Sequence, residues 1–300
     1  MTGSSLKKVA DTWGSARHIG TFTNGSDEWH KVRATGIGGS DVGTIVGCNP
    51  WQSAYYLAAV RLGKIDGTIA QNEAMEWGNR LEPVVLDKFA DEHPELTLHR
   101  EVGTWQHVER EWQHANPDAI AEHADGSFSI VEVKTARYED DWKDGVPAYY
   151  RTQVQWYLQT FGFKQAHVVA LFSGSRYREF ELLADSFEQD TNLAAVEEWR
   201  NIVEAGQLPD FSEPMLSTYN ATREIHPEID PGAEVDLGDL GMYYALAVQD
   251  FAQAESHLNE MKARISDALG TAKRGVVNGE TIVTRQSRNG GTPYLVNAKR

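Results

Sequence analysis

Apolar and polar positions along the chain follow two periods, and the switches between them mark out the elements. Between 72 and 92, Trp77, Leu81, Val84, Val85 and Phe89 recur at helical spacing and predict a helix. Upstream, Ser40 can cap a short helix reaching Val46, Asn49-Pro50 ends it, and Ser53 can cap a second running through Leu62. Strand-like text near 97–108, 112–123 and 127–135, separated by polar or glycine turns, predicts an antiparallel meander. A helix opens near Pro147, whose fixed backbone angle suits a first turn, and runs to about Phe161. Strands at 166–173 and 177–183, joined by Gly174-Ser175, lead to a helix that Ser186 caps and that lasts to Glu204. After a proline-containing connection at 207–231, apolar residues alternate steps of four and three: Leu240, Tyr244, Ala247, Phe251, Ala254, Leu258, Met261, Ile265 and Ala268. This is a long amphipathic helix, and its stripe is expected to pack on the chain's own core rather than in an intermolecular coiled coil. A terminal hairpin, 276–284 with 293–296, flanks a loop of Asn, Gly and Arg.

Composition narrows this picture. At 300 residues and 41% hydrophobic content the chain can bury a substantial core, as one large domain or two ordinary ones. No run approaches the roughly 18 apolar residues of a membrane span, and the N-terminal stretch has no apolar segment to act as a secretory signal, so a cytoplasmic location is expected. The single cysteine, Cys48, excludes an internal disulfide, a four-cysteine zinc site and a cluster held by thiolates, so a metal would need oxygen or imidazole ligands. The net charge of -16 argues against a wholly basic surface for nucleic acid. Residues 261–300, however, carry eight basic side chains (Lys262, Arg264, Lys273, Arg274, Arg285, Arg288, Lys299, Arg300) against Asp267 and Glu280, a net +6 that leaves -22 elsewhere. That asymmetry fits an acidic body with one basic working edge, and equally a solvated C-terminal face. Ten histidines include no HExxH, and Cys48 lacks a His/Asn context for a thiol nucleophile. Asn24-Gly-Ser and Asn220-Ala-Thr match glycosylation acceptors only formally.

Candidate chemistry centres on Glu82 in the 72–92 helix, Asp118 after Asn116-Pro117, and Glu132 and Lys134 in the run Val131-Glu-Val-Lys134. On a strand Glu132 and Lys134 share one face while Val131 and Val133 take the other. The stretch His123-Ala-Asp-Gly126-Ser127 predicts a tight hairpin, and its length decides whether Asp118 joins them. A two-residue loop at 125–126 pairs 118 with 133 and puts Asp118 on the wrong face. A three-residue loop at 124–126, with Gly126 left-handed in a bulge, pairs 118 with 132, and this bulged form is expected. Adjacent carboxylates facing inward repel and are costly to desolvate unless a cation or proton lies between them. Magnesium, with manganese as a substitute, suits such a site because it takes one or two carboxylates plus waters and phosphate oxygens. Two ions could share Asp118, one held with Glu132 and the Val133 carbonyl and the other with Glu82, clamping the attacking and leaving oxygens of a phosphodiester displacement. Lys134 would orient the attacking water and offset developing negative charge.

Pro117-Asp118 followed by Glu132-Val-Lys134 resembles the PD-(D/E)xK nuclease signature, with helical Glu82 matching its additional acid. That string by itself also describes surface salt bridging. Gln153-Val-Gln-Trp-Tyr157 is similar to the QxxxY motif of RecB-type nucleases, with Gln153 and Tyr157 one turn apart where they could contact substrate or brace the metal site, although an aromatic stripe on the sheet explains Trp156 and competes for Tyr157. Trp29-His-Lys-Val-Arg33 followed by Gly36-Ile-Gly-Gly-Ser40-Asp41, and the box Gly78-Asn-Arg-Leu-Glu82-Pro83, resemble the YqaJ-like viral recombinase family, the group of bacteriophage lambda exonuclease. The resemblance covers about residues 27–175. By position it implies that Arg33 and Ser40 bind the terminal 5′-phosphate of a DNA end, which a helix N-terminus and a guanidinium fork can do; a plain N-cap at Ser40 and a tight turn at the glycines are the alternatives. It further implies a restriction-endonuclease-like α/β (α+β) fold, a mixed central sheet flanked by helices, with a nuclease core over 1–206 and a C-terminal extension over 207–300. The activity implied is magnesium-dependent 5′-to-3′ degradation of linear double-stranded DNA ends in phage-type recombination. The partners implied are a ring-shaped homo-oligomer such as a trimer and a single-strand annealing protein, without membrane association and in the host cytoplasm if phage-encoded. A non-catalytic DNA-end or protein-binding module on the same fold is the alternative, and a glycosidase-like use of the paired acids leaves Lys134 and the Gln153/Tyr157 pair without a role.

Overall fold

Residues 129–133 are buried without interruption in the strand that contains them, with Glu132 only 2% exposed, so that strand must be covered on both faces. The computed structural model describes residues 11–23, 25–68, 72–211 and 215–298, in two compact units, one ending at Glu228 and the other beginning at Ile229. Lys299, Arg300 and Asn24, named above, lie outside the described residues.

The first unit opens with β1 (Thr12–Trp13), β2 (Ala16–Gly20), α1 (Asp27–Ala34), α2 (Gly39–Ile45), α3 (Ala54–Arg61) and α4 (Glu73–Glu92). It continues through β3 (Thr97–Arg100), β4 (Thr104–His107), β5 (His114–Ala115), β6 (Ala119–Glu122), β7 (Phe128–Ala136) and α5 (Ala148–Phe161). β8 (Gln165–Phe172), β9 (Arg176–Leu183), α6 (Ser186–Glu204) and α7 (Leu216–Ile225) complete it. A mixed central sheet has the order β3-β6-β7-β8-β9, in which only β7 and β8 run parallel. A second sheet has the order β1-β2-β4-β5. Alternation along β7 sorts the core into two layers. Ile130 joins Ile120, Val168, Trp156 and Leu158 on the α5 side. Val131 and Val133 join Ala119, Val169 and the α4 residues Val85, Leu86 and Phe89 on the other. The α5 face is therefore the one shared by Glu132 and Lys134.

Several local expectations are corrected. The stretch 97–108 is not one strand of a meander, because Glu101 (φ 53°) and Gly103 (φ 77°) turn the backbone through the left-handed region. β3 then pairs with β6 while β4 pairs with β2 and β5 in the other sheet. Ser40 does not cap α2. Gly38 occupies that position, and Asp41 reaches back so that its Oδ2 accepts the Gly38 N–H at 3.3 Å. Asp185, not Ser186, caps α6, its carboxylate accepting the Glu188 N–H at 3.1 Å. Within the predicted connection 207–231, α7 forms and packs on α3. The Ser53 N–H donates to Ser217 Oγ at 3.0 Å, Thr218 Oγ1 bonds Ser53 Oγ at 2.7 Å, and Ala221 is fully buried.

The second unit comprises α8 (Asp239–Leu269), β10 (Arg274–Val277), β11 (Glu280–Gln286) and β12 (Tyr294–Asn297). The expected two-strand hairpin is a three-stranded antiparallel sheet, because Asn278 and Gly279 both take positive φ and close a two-residue turn inside the stretch 276–284. No described residue of α8 is buried, so the packing expected of its apolar stripe is not found within this unit.

Pairs 119/131, 120/130, 121/129 and 122/128 fix the β6–β7 register, and His123 and Ser127 close a three-residue loop in which Gly126 has φ 81°. A Cβ at Gly126 would meet nothing within 4 Å. Gly126→Ala is therefore expected to cost about 1–2 kcal/mol through backbone conformation alone, measurable by chemical denaturation, with the sheet register unchanged.

Candidate functional site

The three-residue loop and the β6–β7 register set Asp118 opposite Glu132, on the α5 face. Asp118 Oδ2 accepts the Val133 N–H at 2.7 Å. Glu132 Oε1 accepts from Lys134 Nζ at 2.7 Å and from Gln153 Nε2 at 2.8 Å. Gln153 also accepts from Lys134 Nζ at 3.1 Å through Oε1, and its Nε2 donates to the Tyr157 hydroxyl at 3.0 Å. Gln153 and Tyr157 thus brace the acid–lysine pair from α5 at helical spacing, and both are buried. Trp156, between them, points into the core and donates to the Ile37 and His114 carbonyls.

This cluster is electrostatically unbalanced. Burial, then the charges of Glu132 and Glu82, push the Asp118 carboxyl well above the ordinary carboxylate range, outweighing Lys134 and the Val133 N–H. Glu82 is raised by burial and by Glu132, against the pull of Lys134. Burial works against the Lys134 ammonium, but Glu132 and Asp118 outweigh it and hold the pKa above the ordinary lysine value. Glu132 Oε2 is buried with no hydrogen-bond partner. One half-buried lysine thus faces three carboxylates, with an acceptor left over.

These observations test the fit of a divalent cation. Among the described residues no three His, Cys, Asp or Glu side chains form a closed metal cage. Magnesium does not require one, since one or two carboxylates with water and phosphate oxygens suffice. The orphaned Glu132 oxygen, the repulsion at Asp118 and an oxygen-only donor set fit such an ion.

A cleft of about 520 Å³ adjoins the cluster, lined among others by Glu82, Asp118 and Tyr157 and by Arg33 and Ser40. The phosphate-binding pair predicted from sequence is therefore brought together beside the acids. Arg33 Nη2 bonds Ser40 Oγ at 2.9 Å and Asp41 Oδ1 at 3.1 Å, and its guanidinium lies 5.0 Å from the Trp29 ring centroid. Ser40 lies inside the first turn of α2, with its hydroxyl exposed.

Four residues were not assigned a role from sequence. Asp41 joins Arg33 to Arg61, accepting from Arg61 Nη2 at 2.9 Å. Arg61 also donates to the carbonyls of Arg33, Ala34 and Gly36, tying α3 to the end of α1. Tyr150 places its ring 4.5 Å from Lys134 Nζ. Gly39 allows α2 to touch α5, because a Cβ there would fall 2.7 Å from the Tyr157 ring and 2.9 Å from the Gln153 carbonyl. Asp41 sits in the glycine-rich string and was legible as part of it; Arg61 carries no local signal.

A sequence model of the YqaJ-like viral recombinase domain matches residues 28–164, the stretch that holds every group of the cluster and both phosphate-binding candidates. Over this segment the chain is similar to YqaJ-like viral recombinase domains. The chain is 26% identical over 261 residues to the Bacillus subtilis (strain 168) protein YqaJ, covering 84% of this chain and 80% of the relative. Protein D345L of African swine fever virus (isolate Tick/South Africa/Pretoriuskop Pr4/1996) is 39% identical over only 62 residues, 21% of this chain and 18% of the viral protein. An alkaline exonuclease from Laribacter hongkongensis shares the fold at a TM-score of 0.51 and 20% identity, covering 60% of this chain and 94% of the exonuclease. The figures are the same for that exonuclease in complex with dAMP. No helix among the described residues is long and apolar enough to cross a membrane.

The raised Asp118 pKa has a pH signature. An acid held above its unfolded value, here 3.8, contributes stability that is fully present below that value and is lost as pH rises through the folded pKa. A cation bound only by the folded state replaces the missing proton. Magnesium is therefore expected to raise the melting temperature more at about pH 8 than at about pH 5. Equal shifts at both pH values would show that the ion does not bind at these acids.

Proposed function

We propose that this protein is a magnesium-dependent deoxyribonuclease that degrades linear duplex DNA from its ends, 5′ to 3′, leaving a 3′ overhang. The observation that carries the reading is the excess of negative charge at half-buried Asp118 and Glu82 and buried Glu132 beside one lysine, with a Glu132 oxygen unpartnered. Such an arrangement is costly for stability alone and suits a site completed by cations.

Asp118 and Glu132, with the Val133 carbonyl and Glu82, would hold two magnesium ions, or manganese in their place. Bound there, such ions polarise a phosphodiester and lower the pKa of a coordinated water. The chain's own groups do the positioning. Gln153 fixes the Glu132 carboxylate and the Lys134 ammonium through one amide, and Tyr157 fixes the amide in turn. Lys134, held as a cation, orients the attacking water and offsets charge developing on the phosphoryl oxygens. Arg33 and Ser40, in the same cleft, would receive the terminal 5′-phosphate, and this feature favours an exonuclease acting on ends. The shared fold with an alkaline exonuclease that takes dAMP supports a deoxynucleotide substrate. A ring-shaped homo-oligomer belongs to the same proposal, because it lets a chain of net charge -16 surround DNA with basic groups confined to the lumen. A single-strand annealing protein acting on the exposed strand is the partner it implies.

Linear duplex incubated with Mg²⁺ should be degraded by the wild-type protein, while Asp118→Ala and Lys134→Ala should each lose about a hundredfold or more in rate. Undiminished degradation by both variants, or full activity in excess chelator, would refute the assignment. The role of Arg33 is tested on ends. A 5′-phosphorylated duplex should be degraded faster than a 5′-hydroxyl one, and Arg33→Ala should erase that difference, whereas a preference that survives the substitution places the phosphate elsewhere.

A further inference from the structure

We propose that Trp51 and Tyr149, continued inward by Tyr150, form a stacking platform for bases of the DNA strand beyond the scissile phosphate. The three rings lead outward from the lysine. Tyr150 lies 4.5 Å from Lys134 Nζ, its centroid is 4.2 Å from that of Tyr149, and Tyr149 meets Trp51 edge to face at 5.0 Å. Trp51 at the outer end is 63% exposed. A lone apolar side chain at the surface is ordinary and needs no explanation. Continuity with the candidate catalytic lysine sets this one apart, as does the way it is held. Asn49 Oδ1 accepts the Trp51 N–H at 2.8 Å, Asn49 Nδ2 donates to Thr44 Oγ1 at 2.8 Å, and the Asn49 N–H bonds the Gly43 carbonyl at 2.9 Å. The indole therefore projects from a turn braced against α2.

The packing of α2 on α5 fixes where the platform lies. At the start of α2 a Cβ on Gly39 would meet Tyr157 and Gln153, whereas near its end a Cβ on Gly43 would lie 3.4 to 3.5 Å from the backbone of Tyr149. The two helices run antiparallel. Arg33 and Ser40 belong to the Tyr157 end, Trp51 and Tyr149 to the opposite end, and Gln153 with Lys134 lies between. From Tyr149 to Tyr157 is eight residues, about 12 Å along a helix, the length of roughly three or four stacked nucleotides. A strand whose 5′-phosphate sits at Arg33 and which passes Lys134 would bring its next bases to the aromatic rings. Base faces are the ligand that tyrosine and tryptophan rings accept by stacking without sequence preference. The Tyr149 hydroxyl, pushed up to about 12 by burial and by Tyr150, stays neutral and adds no charge against the phosphates.

This rests on the nuclease reading for the direction of the strand, and the test keeps the two apart. Binding is measured in excess chelator, by fluorescence anisotropy, with labelled 5′-phosphorylated duplexes carrying one abasic site at successive positions from that end. The wild-type protein should lose affinity on the order of tenfold when the abasic site falls within the first few nucleotides. Trp51→Ala should bind intact DNA about tenfold more weakly and lose the positional dependence, and Trp51→Phe should restore both. Trp51→Ala binding intact DNA as tightly as wild type, or retaining the abasic pattern, overturns the platform even where Mg²⁺-dependent hydrolysis is intact. The positional pattern in a protein that hydrolyses nothing in Mg²⁺ supports the platform while removing the nuclease reading.

Discussion

One carboxylate carries the architecture of the site. Glu132 lies in the middle of the central sheet, one oxygen shared by Lys134 and Gln153 and the other without a partner. A buried ion pair stabilises a fold only when its remaining lone pairs are satisfied, and here they are not. Asp118, brought alongside by register, adds a second, half-buried acid and compounds the imbalance. The hydrophobic layers on either face of β7 must therefore supply the stability that the cluster subtracts, and they do so with fully buried Ile130, Val131, Val168, Val169 and Phe89. Between Ile130 and Lys134 every residue of the strand outside the Glu132–Lys134 pair is apolar.

Close helix approach is the second constraint, and it links the phosphate-binding candidates to the acids. α2 rests directly on α5 at Gly39, and any larger residue there would push Ser40 away from Tyr157. Asp41 then holds Arg33 from one side and Arg61 from the other, while Arg61 occupies the last carbonyls of α1. Of the two arginines beside Asp41, only Arg33 faces the cleft. Arg61 is committed to structure and Arg33 is left to meet an anion. Gly36 has a separate reason to be small, because a Cβ there would collide with the His114 ring. Gly38 has none of this kind; a Cβ there would meet nothing.

The parts of this that were legible in the sequence share a cause. Val131-Glu-Val-Lys134 states its face by alternation, His123 to Ser127 states its loop length through Gly126, and Gln153 and Tyr157 state their face by helical spacing. Each is a local rule acting over a few residues. What was missed depends on distant partners. The split of 97–108 between two sheets follows from Glu101 adopting a positive φ that glutamate does not advertise. The Gly38 cap follows from Asp41 being free to turn back, when Ser40 offered the stronger capping signal. α7 was hidden in a proline-containing connection because its burial rests on Ser53 and α3, through bonds that span 164 and 165 residues. The turn at Asn278-Gly279 is an exception, a strong local hairpin signal that was read as strand interior.

The distribution of charge constrains how DNA could be held. With a net charge of -16, long-range attraction to a polyanion is weak or opposed, so association must come from short-range contacts and from cations placed where the strand passes. Among the described residues the cleft is lined by two arginines, Arg33, which bonds Asp41, and Arg100, which pairs with Asp87, while Lys134 of the adjoining cluster is shared with Glu132. That is too little positive charge to neutralise several phosphates, which shifts the burden onto divalent ions at the acids and onto contacts that do not depend on charge. Under the proposed reading, base stacking is the contact of that kind that the α2–α5 end would offer, since Trp51 and Tyr149 lead outward from Tyr150, whose ring lies beside the Lys134 ammonium. An acidic nuclease of the proposed kind, holding DNA in this way, would gain selectivity for ends: a duplex interior would offer it repulsion, while a frayed terminus would offer a phosphate for Arg33 and unpaired bases for the rings.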